Sequence, residues 1–342
     1  MSDKEKKQAE LKKLVKNIGK CIVTGREVYD EKKNLKTLKI SPALDFALNG
    51  GVQEGSWLNV TGMPKTGKTS SMLHLAANAQ KEGRKVIYLD AEGRLKGYNL
   101  IGIDGLDLDA MKIVRSPDDK ILSAEEFLSI LENLIQQKEY EAALVIVDSL
   151  SSLIPSRDLG TMVDGERRPG LPKILSDFTK RMGQVIPRTK TIVVLIGHFI
   201  TNTSGWGKKF IPDGGIKKDY QADTMITIKK SDPWIVDKQK IGQVILWDIE
   251  TSSLGSSGTQ AISYFRYGKG LDGVQEIIEL AVSFDLVEQS GAWFSLPFMS
   301  KYDKEYTDKK YKFQGVNKLY EFLKKHVEIM KNLETELKEY IV

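Results

Sequence analysis

An eight-residue motif, GMPKTGKT over Gly62–Thr69, constrains this chain more than any other feature of its 342 residues. The motif matches the pattern G-x-x-x-x-G-K-[ST], and it lies between an apolar run at 56–60 and a helix-like segment at 68–81. Glycines let successive backbone N–H groups converge on a phosphate, and the N-terminus of the helix adds its positive dipole. The motif therefore predicts a phosphate-binding loop between a buried strand and a helix.

The same loop indicates which residues contact a nucleotide. Lys68 is expected to reach the β- and γ-phosphates, and the Thr69 hydroxyl is expected to ligate Mg²⁺. The other positions predicted to contact the nucleotide are Gly62, Pro64, Lys65, Thr66, Gly67 and Ser70. The cofactors that this site predicts are ATP and Mg²⁺.

Two carboxylates follow predicted strands and are expected at one edge of the sheet. Asp148 ends the apolar run at 143–147, where a second acid that holds the magnesium is expected. Glu92 closes the sequence YLDAE after the strand predicted at 85–89, and a carboxylate near the γ-phosphate can orient or deprotonate the attacking water. The alternative interpretation is that each acid caps the loop after its strand.

Apolar strands alternate with helices from residue 56 to residue 196, which predicts a parallel sheet covered on both faces. After residue 198 the pattern changes to three strand-like runs with no helix between them, at 224–229, 243–249 and 260–267. These runs predict an antiparallel extension of the same sheet. We therefore expect an α/β fold with a mainly parallel sheet, an antiparallel extension and a small C-terminal α/β domain.

Three parts of the chain are predicted from these patterns. Residues 1–36 are expected to hold an amphipathic helix at 4–20 and a polar linker from 24 to 36. Residues 37–270 are expected to form the nucleotide-binding core, and 271–342 the small C-terminal domain. The apolar stripe of the N-terminal helix favours packing, either on its own domain or on a neighbouring subunit.

Composition excludes several other classes of protein. No apolar run approaches the roughly 18–20 residues that a membrane span needs, and the N-terminus is polar and lysine-rich, unlike a signal peptide. The single cysteine, Cys21, excludes an internal disulfide and a cysteine-based metal cluster. These features predict a cytoplasmic location without a membrane partner. The net charge of +5 comes mostly from the two ends, so a nucleic-acid prediction must rest on local clusters.

The chain resembles one family along nearly all of its length. It is similar to the RecA-type DNA strand-exchange ATPases, including their phage UvsX-like members. The shared features are the basic N-terminal helix, TLKISPALDFALNGG at 37–51, the phosphate-binding loop, DAE at 90–92, the strand ending at Asp148, Gly214-Gly215, the stretch 267–293 with its GAW sequence, and the closing segment 313–340. The resemblance implies a RecA-like ATPase core and an ATP-dependent homologous recombination protein.

The resemblance also implies roles for single residues. Lys68 and Thr69 correspond to the phosphate and magnesium residues, Asp148 to the second magnesium residue, and Glu92 to the base that activates water. His198 corresponds to a polar sensor of the γ-phosphate, so Glu92, Lys68 and His198 form the implied catalytic set. Tyr98 is implied to stack on the adenine.

Two DNA-binding loops are implied at about 157–170 and 199–213. The second loop interleaves aromatic residues with cations, which suits single-stranded DNA, and Lys173 and Lys180 share one face of the helix between the loops. The residues implied to contact DNA are Arg167, Arg168, Lys173, Lys180, Trp206, Lys208, Lys209 and Phe210. The implied partners are single-stranded DNA, homologous double-stranded DNA, and further copies of the chain in a helical filament.

One departure from the family pattern bears on hydrolysis. Relatives carry lysines before the C-terminal helix that reach the neighbouring subunit's γ-phosphate, whereas this chain has WDIETS at 247–252. Arg266 or Lys269 is a candidate to substitute for them. Two alternatives follow from the departure and from the shared core: a nucleotide-gated DNA-binding filament protein with little hydrolysis, and a helicase built on the same core.

Overall fold

The computed structural model describes residues 21–160, 170–201, 210–212 and 222–340. The chain divides into two compact units, Met1–Lys36 and Thr37–Val342. The helix predicted at 4–20 lies outside the described residues. Among the described residues, none of the helices has the length and apolar character that crossing a bilayer requires.

The described part of the first unit contains helix α1 (Gly25–Lys32), where a linker was expected. The helix begins at a capping box, in which the Thr24 hydroxyl accepts a hydrogen bond from the Glu27 backbone N–H and the Glu27 carboxylate accepts one from Thr24 N–H. Reciprocal capping of this kind satisfies two backbone donors at once. The local signal Thr-x-x-Glu thus marks the start of a helix within a polar segment.

The second unit contains the strands and the remaining helices. The strands are β1 (Thr37–Leu38), β2 (Val52–Gln53), β3 (Trp57–Gly62), β4 (Val86–Asp90), β5 (Met111–Val114), β6 (Leu144–Asp148), β7 (Ile192–Thr201), β8 (Phe210–Pro212), β9 (Thr224–Val236), β10 (Gln239–Thr251), β11 (Thr259–Arg266), β12 (Gly270–Leu271), β13 (Glu288–Ser290), β14 (Trp293–Ser295) and β15 (Lys312–Gln314). The helices are α2 (Pro42–Ala47), α3 (Lys68–Lys81), α4 (Gly97–Ile101), α5 (Ala124–Ile135), α6 (Leu171–Met182), α7 (Val185–Thr189), α8 (Gly273–Ser283), α9 (Val316–Lys325) and α10 (Val327–Lys338).

Most of these strands form one large sheet. Its order is β12-β11-β10-β9-β3-β7-β6-β4-β5, and β8 pairs with β7 at one side of this path. From β9 to β5 along this order, each pair of adjacent strands is parallel. The pairs β9-β10, β10-β11 and β11-β12 are antiparallel. The predicted α/β fold with a mainly parallel sheet and an antiparallel extension is confirmed.

The central strands are apolar throughout because both faces of the sheet are covered. Alternate residues of β6 belong to different buried clusters: Leu144 and Ile146 face one core, and Val145 and Val147 face the other. The carboxyl ends of the parallel strands consequently meet at one edge, which is where the phosphate-binding loop and the two acids emerge.

The antiparallel extension is longer than the sequence patterns predicted. Strands β9 and β10 each have 13 residues, and Asp237 and Lys238 alone connect them. Both connecting residues have positive φ, 48° and 64°, as a two-residue hairpin turn requires. Asn-Gly or Asp-Gly is the usual signal for such a turn, so Asp-Lys concealed the hairpin.

Residues after 270 build a smaller hydrophobic core of their own. Helix α8, the three-stranded sheet β13-β14-β15 and helices α9 and α10 contribute its buried residues. Leu296, Leu319, Leu323 and Leu333 are fully buried there. Between the two predicted DNA-binding loops, where one helix was expected, the chain forms two helices, α6 and α7, separated at Gly183-Gln184.

Candidate nucleotide-binding site

The phosphate-binding loop connects β3 to α3, as its motif predicts. Gly67 has a φ of 98°, a conformation that favours glycine, and it directly precedes the first turn of α3. At Gly62 a Cβ atom would lie 3.0 Å from Cβ of Ile228, so a larger residue would require the neighbouring strand to shift. The two glycines therefore hold the backbone in a tight loop at the N-terminus of a helix, where an anion is stabilised.

Lys68 is 4% exposed and turns its ammonium group back towards the loop. Its Nζ donates hydrogen bonds to the carbonyl oxygens of Gly62 at 3.0 Å and Met63 at 2.9 Å. Burial lowers the pKa of Lys68 to about 8, and the negative charges of Asp148 and Glu92 oppose this shift. Lys68 therefore keeps its positive charge at neutral pH inside the loop that would hold phosphate.

Asp148 lies at the end of β6, buried beside the first turn of α3. Its Oδ2 accepts hydrogen bonds from Thr69 Oγ1 and from Tyr88 Oη, each at 2.6 Å. Burial raises the pKa of Asp148, and the two hydroxyl donors act in the opposite direction. A nearby cation would stabilise such a buried carboxylate in its ionised form.

Glu92 lies just after β4 and is held by two partners. Its Oε1 accepts a hydrogen bond from Ser149 Oγ at 2.8 Å and lies 2.7 Å from His198 Nε2. The hydrogen bond with His198 is the largest cause of a pKa of about 2 for Glu92. His198 itself pairs in register with Gly62 on the neighbouring strand, which brings the histidine beside the phosphate-binding loop.

The oxygen donors at this edge fit Mg²⁺. One ligand atom from each of Glu92, Asp148 and His198 lies within 4.8 Å of the others. The Thr69 hydroxyl directs its proton at Asp148 and so keeps its lone pairs for a cation. Hydroxyl and carboxylate oxygens are the ligands that Mg²⁺ prefers, so Thr69 and Asp148 form a suitable pair.

A cleft of about 960 Å³ extends from the loop along this edge. Pro64, Lys65, Gly67, Lys68, Thr69 and Ser70 line one end of it, together with Glu92 and His198. Tyr98, which is 65% exposed, and Tyr267, which is 47% exposed, also line the cleft. The cleft thus combines a phosphate end with aromatic side chains suited to a planar base.

Comparisons with known proteins find family matches over nearly the whole chain. The RecA N-terminal domain matches residues 5–272, and the RecA C-terminal domain matches residues 275–342. The chain belongs to the RecA family. This membership confirms the predicted family and its RecA-like core, and it assigns the chain to DNA recombination and repair.

Several bacterial relatives have the name Protein RecA. That of Mesoplasma florum is 29% identical over 338 residues, which cover 97% of this chain and 94% of the relative. That of Mycoplasma mycoides is 30% identical over 296 residues, covering 84% and 82%. That of Thermotoga petrophila is 26% identical over 348 aligned residues, covering 99% and 93%. The similarity therefore extends over both RecA domains.

The structure brings together some of the residues predicted to act at the nucleotide and adds others. Thr66 directs its hydroxyl to the Met63 carbonyl within the loop, at 2.8 Å. Sequence analysis missed several residues, of which some lie beside the motifs in the chain and others far from them: Tyr88, Arg94, Lys96, Ser149, Gln243 and Tyr267. The turn sequence YGKG at 267–270 was a usable signal for Tyr267 in a RecA protein.

The predicted DNA contacts lie mostly outside the described residues. Arg167, Arg168, Trp206, Lys208 and Lys209 fall outside them, and only the backbone of Phe210 is described, within β8. Lys173 and Lys180 are both exposed on α6, whose buried face carries Leu175, Phe178 and Met182. The two lysines are thus accessible on the helix that follows the first predicted DNA loop.

Arg266, one of the two residues considered as substitutes for the lysines of the family pattern, is engaged by other partners. Its Nε donates to Asp272 Oδ2 at 2.6 Å, and its guanidinium lies over the rings of Trp234 and Tyr320 at 4.4 and 5.3 Å. Arg266 is therefore engaged in holding the antiparallel extension to the C-terminal helices. Lys269 is exposed beside Gly268, which lines the nucleotide cleft.

Proposed function

We propose that this RecA protein is a DNA-dependent ATPase that polymerises on single-stranded DNA in its ATP-bound state and aligns it with homologous duplex. It releases the DNA after hydrolysis. The observation that carries the proposal is the position of the Glu92 carboxylate, in the same cluster as Asp148 and paired with His198. This cluster lies at the sheet edge from which both predicted DNA loops leave.

The division of labour along the chain is part of the proposal. Residues 1–36 serve oligomerisation, 37–270 form the ATPase core with the DNA-binding loops, and 271–342 form a small C-terminal domain. The cytoplasm remains the predicted location.

Lys68, Thr69 and Asp148 bind and orient the triphosphate. The Lys68 ammonium group exchanges its contacts with the loop carbonyls for phosphate oxygens, and the glycines let backbone N–H groups do the same. Thr69 and Asp148, whose side chains lie in hydrogen-bond contact, would be the residues that hold Mg²⁺. When bound, Mg²⁺ neutralises charge on the β- and γ-phosphate oxygens.

Glu92 acts on the attacking water, and His198 controls when it does so. A carboxylate with a pKa near 2 accepts a proton poorly, and the hydrogen bond to His198 is the main reason for that value. If His198 turns to the γ-phosphate, Glu92 loses this partner and becomes a stronger base. Because His198 lies on β7, the same movement couples the presence of the γ-phosphate to the loop that follows this strand.

Tyr98 and Tyr267 supply the base-binding end of the cleft. Both rings are exposed and line the same cleft as the phosphate-binding loop. Lys96 Nζ lies 5.9 Å from the centre of the Tyr98 ring, which supports the orientation of that ring. Stacking on an adenine requires such accessible aromatic faces.

The test compares ATP hydrolysis with and without single-stranded DNA, and measures strand transfer between labelled oligonucleotides. The expected result is a DNA-stimulated ATPase together with transfer that requires homologous duplex. Equal hydrolysis rates, with no retention of DNA in the presence of a slowly hydrolysed ATP analogue, would overturn the proposal. Transfer that ignores homology and proceeds by strand separation would instead indicate a helicase.

A further inference from the structure

Tyr88 is a buried residue that the proposed mechanism has not used. It lies on β4, its side chain is 1% exposed, and its ring belongs to the hydrophobic cluster that contains Met72 and Ile146. Its hydroxyl group leaves this cluster and donates to Asp148 Oδ2 at 2.6 Å. The Tyr88 oxygen therefore contacts Asp148, the proposed magnesium residue, from within the apolar cluster.

The position of Tyr88 follows from the register of two neighbouring strands. β4 and β6 are parallel, with Tyr88 opposite Ile146 and Asp90 opposite Asp148. A tyrosine side chain is long enough to span the two-residue offset along the strands to Asp148. Because packing fixes the ring, the hydroxyl has little freedom to choose another acceptor.

Tyr88 and Thr69 differ in how firmly they hold the same carboxylate oxygen. Thr69 Oγ1 also donates to Oδ2, but this hydroxyl is the one that must serve the cation. Tyr88 has no such second role, because its ring is buried in the apolar cluster and its hydroxyl donates to Asp148. The Tyr88 contact therefore persists whatever Thr69 binds, and it restrains rotation of the Asp148 carboxylate.

A phenylalanine would fill the same apolar space without placing a polar atom there. Burying a hydroxyl group is unfavourable unless it is hydrogen-bonded, so the oxygen of Tyr88 is tolerated here because Asp148 accepts from it. Residues that orient a metal ligand commonly change metal affinity by about tenfold or more when they are replaced. The contact between Tyr88 and Asp148 is therefore suited to orienting the Asp148 carboxylate.

We propose that Tyr88 is a positioning residue that fixes the orientation of Asp148 and thereby sets the affinity of this site for Mg²⁺. The inference rests on the proposed function, because it takes Thr69 and Asp148 as the magnesium residues. It concerns the strength of cation binding and not the chemical step of hydrolysis.

The test is a Mg²⁺ titration of the equilibrium binding of a fluorescent ADP analogue, read by anisotropy. In Tyr88→Phe, the Mg²⁺ concentration at half-saturation should rise roughly tenfold, whereas binding in EDTA should stay within about twofold of wild type. Tyr140→Phe is the matched control, because Tyr140 is also buried but belongs to the other core cluster. Its titration should match that of the wild-type chain.

A double-mutant cycle shows whether Tyr88 acts through Asp148. In an Asp148→Ala background, which removes the acceptor of the Tyr88 hydroxyl, Tyr88→Phe should cause no further change in the Mg²⁺ titration. A Tyr88→Phe titration within twofold of wild type would overturn the inference, and so would an equal shift in both backgrounds. Absence of any Mg²⁺-dependent nucleotide binding by wild type would instead overturn the proposed function.

A second measurement covers the case in which Tyr88→Phe does not fold. The wild-type chain is labelled with ¹³C at tyrosine Cζ, and Mg²⁺ is added at constant, saturating ADP. A shift of the Tyr88 resonance on addition of Mg²⁺ supports the contact with the cation site. An unchanged resonance under the same conditions contradicts it.

Discussion

Two glutamates of this RecA-family chain, Glu92, which is partly exposed, and Glu276, which is fully buried, have opposite properties, and the regions around them explain why. At the nucleotide edge, Glu92 accepts hydrogen bonds from Ser149 and His198, and its pKa falls to about 2. Where α2 meets α8, Glu276 is fully buried, accepts a hydrogen bond from Ala43 N–H at 2.9 Å, and burial raises its pKa to about 7. The partly exposed Glu92 stays charged because His198 is its partner, whereas complete burial favours the protonated form of Glu276 in spite of its hydrogen-bond donors.

The same contrast holds for the cations of the two regions. Lys68 lies in the phosphate loop with contacts to backbone carbonyls that a phosphate can replace. Arg266 lies between Trp234 and Tyr320 and pairs with Asp272, which is also the N-cap of α8. The contacts of Lys68 at the nucleotide edge can be exchanged for contacts with a phosphate. The contacts of Arg266 instead connect the sheet to the C-terminal helices.

The largest expected effect separates chemistry from binding at the nucleotide edge. Glu92→Gln keeps the shape of the side chain and removes its ability to take a proton. ATP hydrolysis should fall about 10³-fold, while the affinity for the nucleotide stays near that of wild type. Steady-state hydrolysis and equilibrium binding of a fluorescent analogue measure the two quantities. Hydrolysis within tenfold of wild type would exclude Glu92 as the base.

The second-largest expected effect concerns the contacts of Arg266 and should leave nucleotide binding unchanged. Arg266→Ala leaves the buried Asp272 without its cation, and we expect the free energy of unfolding to fall by about 4 kcal/mol. Arg266→Lys keeps the charge but loses the flat stacking surface, so its loss should be smaller. Urea denaturation measures both variants. An Arg266→Ala protein as stable as wild type would show that the stacked cluster is not a structural connection.

Glu276 should make stability depend on pH with a sign opposite to that of Glu92. The folded pKa of about 7 lies above the usual value of 4.5, so the folded state binds more protons between these pH values and stability falls as the pH rises. The Glu276→Gln variant lacks this loss, which amounts to roughly 3 kcal/mol once the pH exceeds about 7. Asp45, whose burial raises its pKa to about 7, keeps its own contribution.

Denaturation between pH 5 and pH 8 measures the difference between Glu276→Gln and wild type. This difference should grow in favour of the variant as the pH rises. Glu279→Gln, at an exposed position of the same helix, is the control and should follow wild type. A constant difference across this range would mean that Glu276 is ionised in the folded chain throughout.

The smallest effect concerns the exposed lysines on α6. Replacing Lys173 and Lys180 together by Gln should lower the slope of log affinity against log salt by up to about two for single-stranded DNA. Lys138→Gln is the control, since this exposed lysine precedes β6, at the opposite end of the sheet from the nucleotide. Fluorescence anisotropy across a range of salt measures the slope. An unchanged slope would remove both lysines from the DNA contact.

Local sequence signals were sufficient for the central part of the site. Lys68 and Thr69 belong to one motif, and Asp148 follows an apolar run typical of a buried strand, so their proximity follows from parallel topology. Tyr88 and Ser149 could not be predicted, because their contacts depend on β4 and β6 being neighbours in a particular register.

The antiparallel half of the molecule was harder to predict. Asp237 and Lys238 form the turn of the β9-β10 hairpin, and this pair is not a usual sequence signal for a two-residue turn. Gln243 reaches the nucleotide cleft only because this hairpin folds back beside β3. Arg266 had the charge and chain position of a candidate interface cation, and only its partners revealed a structural role.

The most direct measurement is the structure of this RecA protein on single-stranded DNA with Mg²⁺ and a slowly hydrolysed ATP analogue, determined by electron cryomicroscopy. The account predicts that Glu92 has left His198 and faces the γ-phosphate, with His198 turned to a phosphate oxygen. A Glu92 carboxylate that stays paired with His198 or points away from the Lys68 loop in the assembled filament would contradict it.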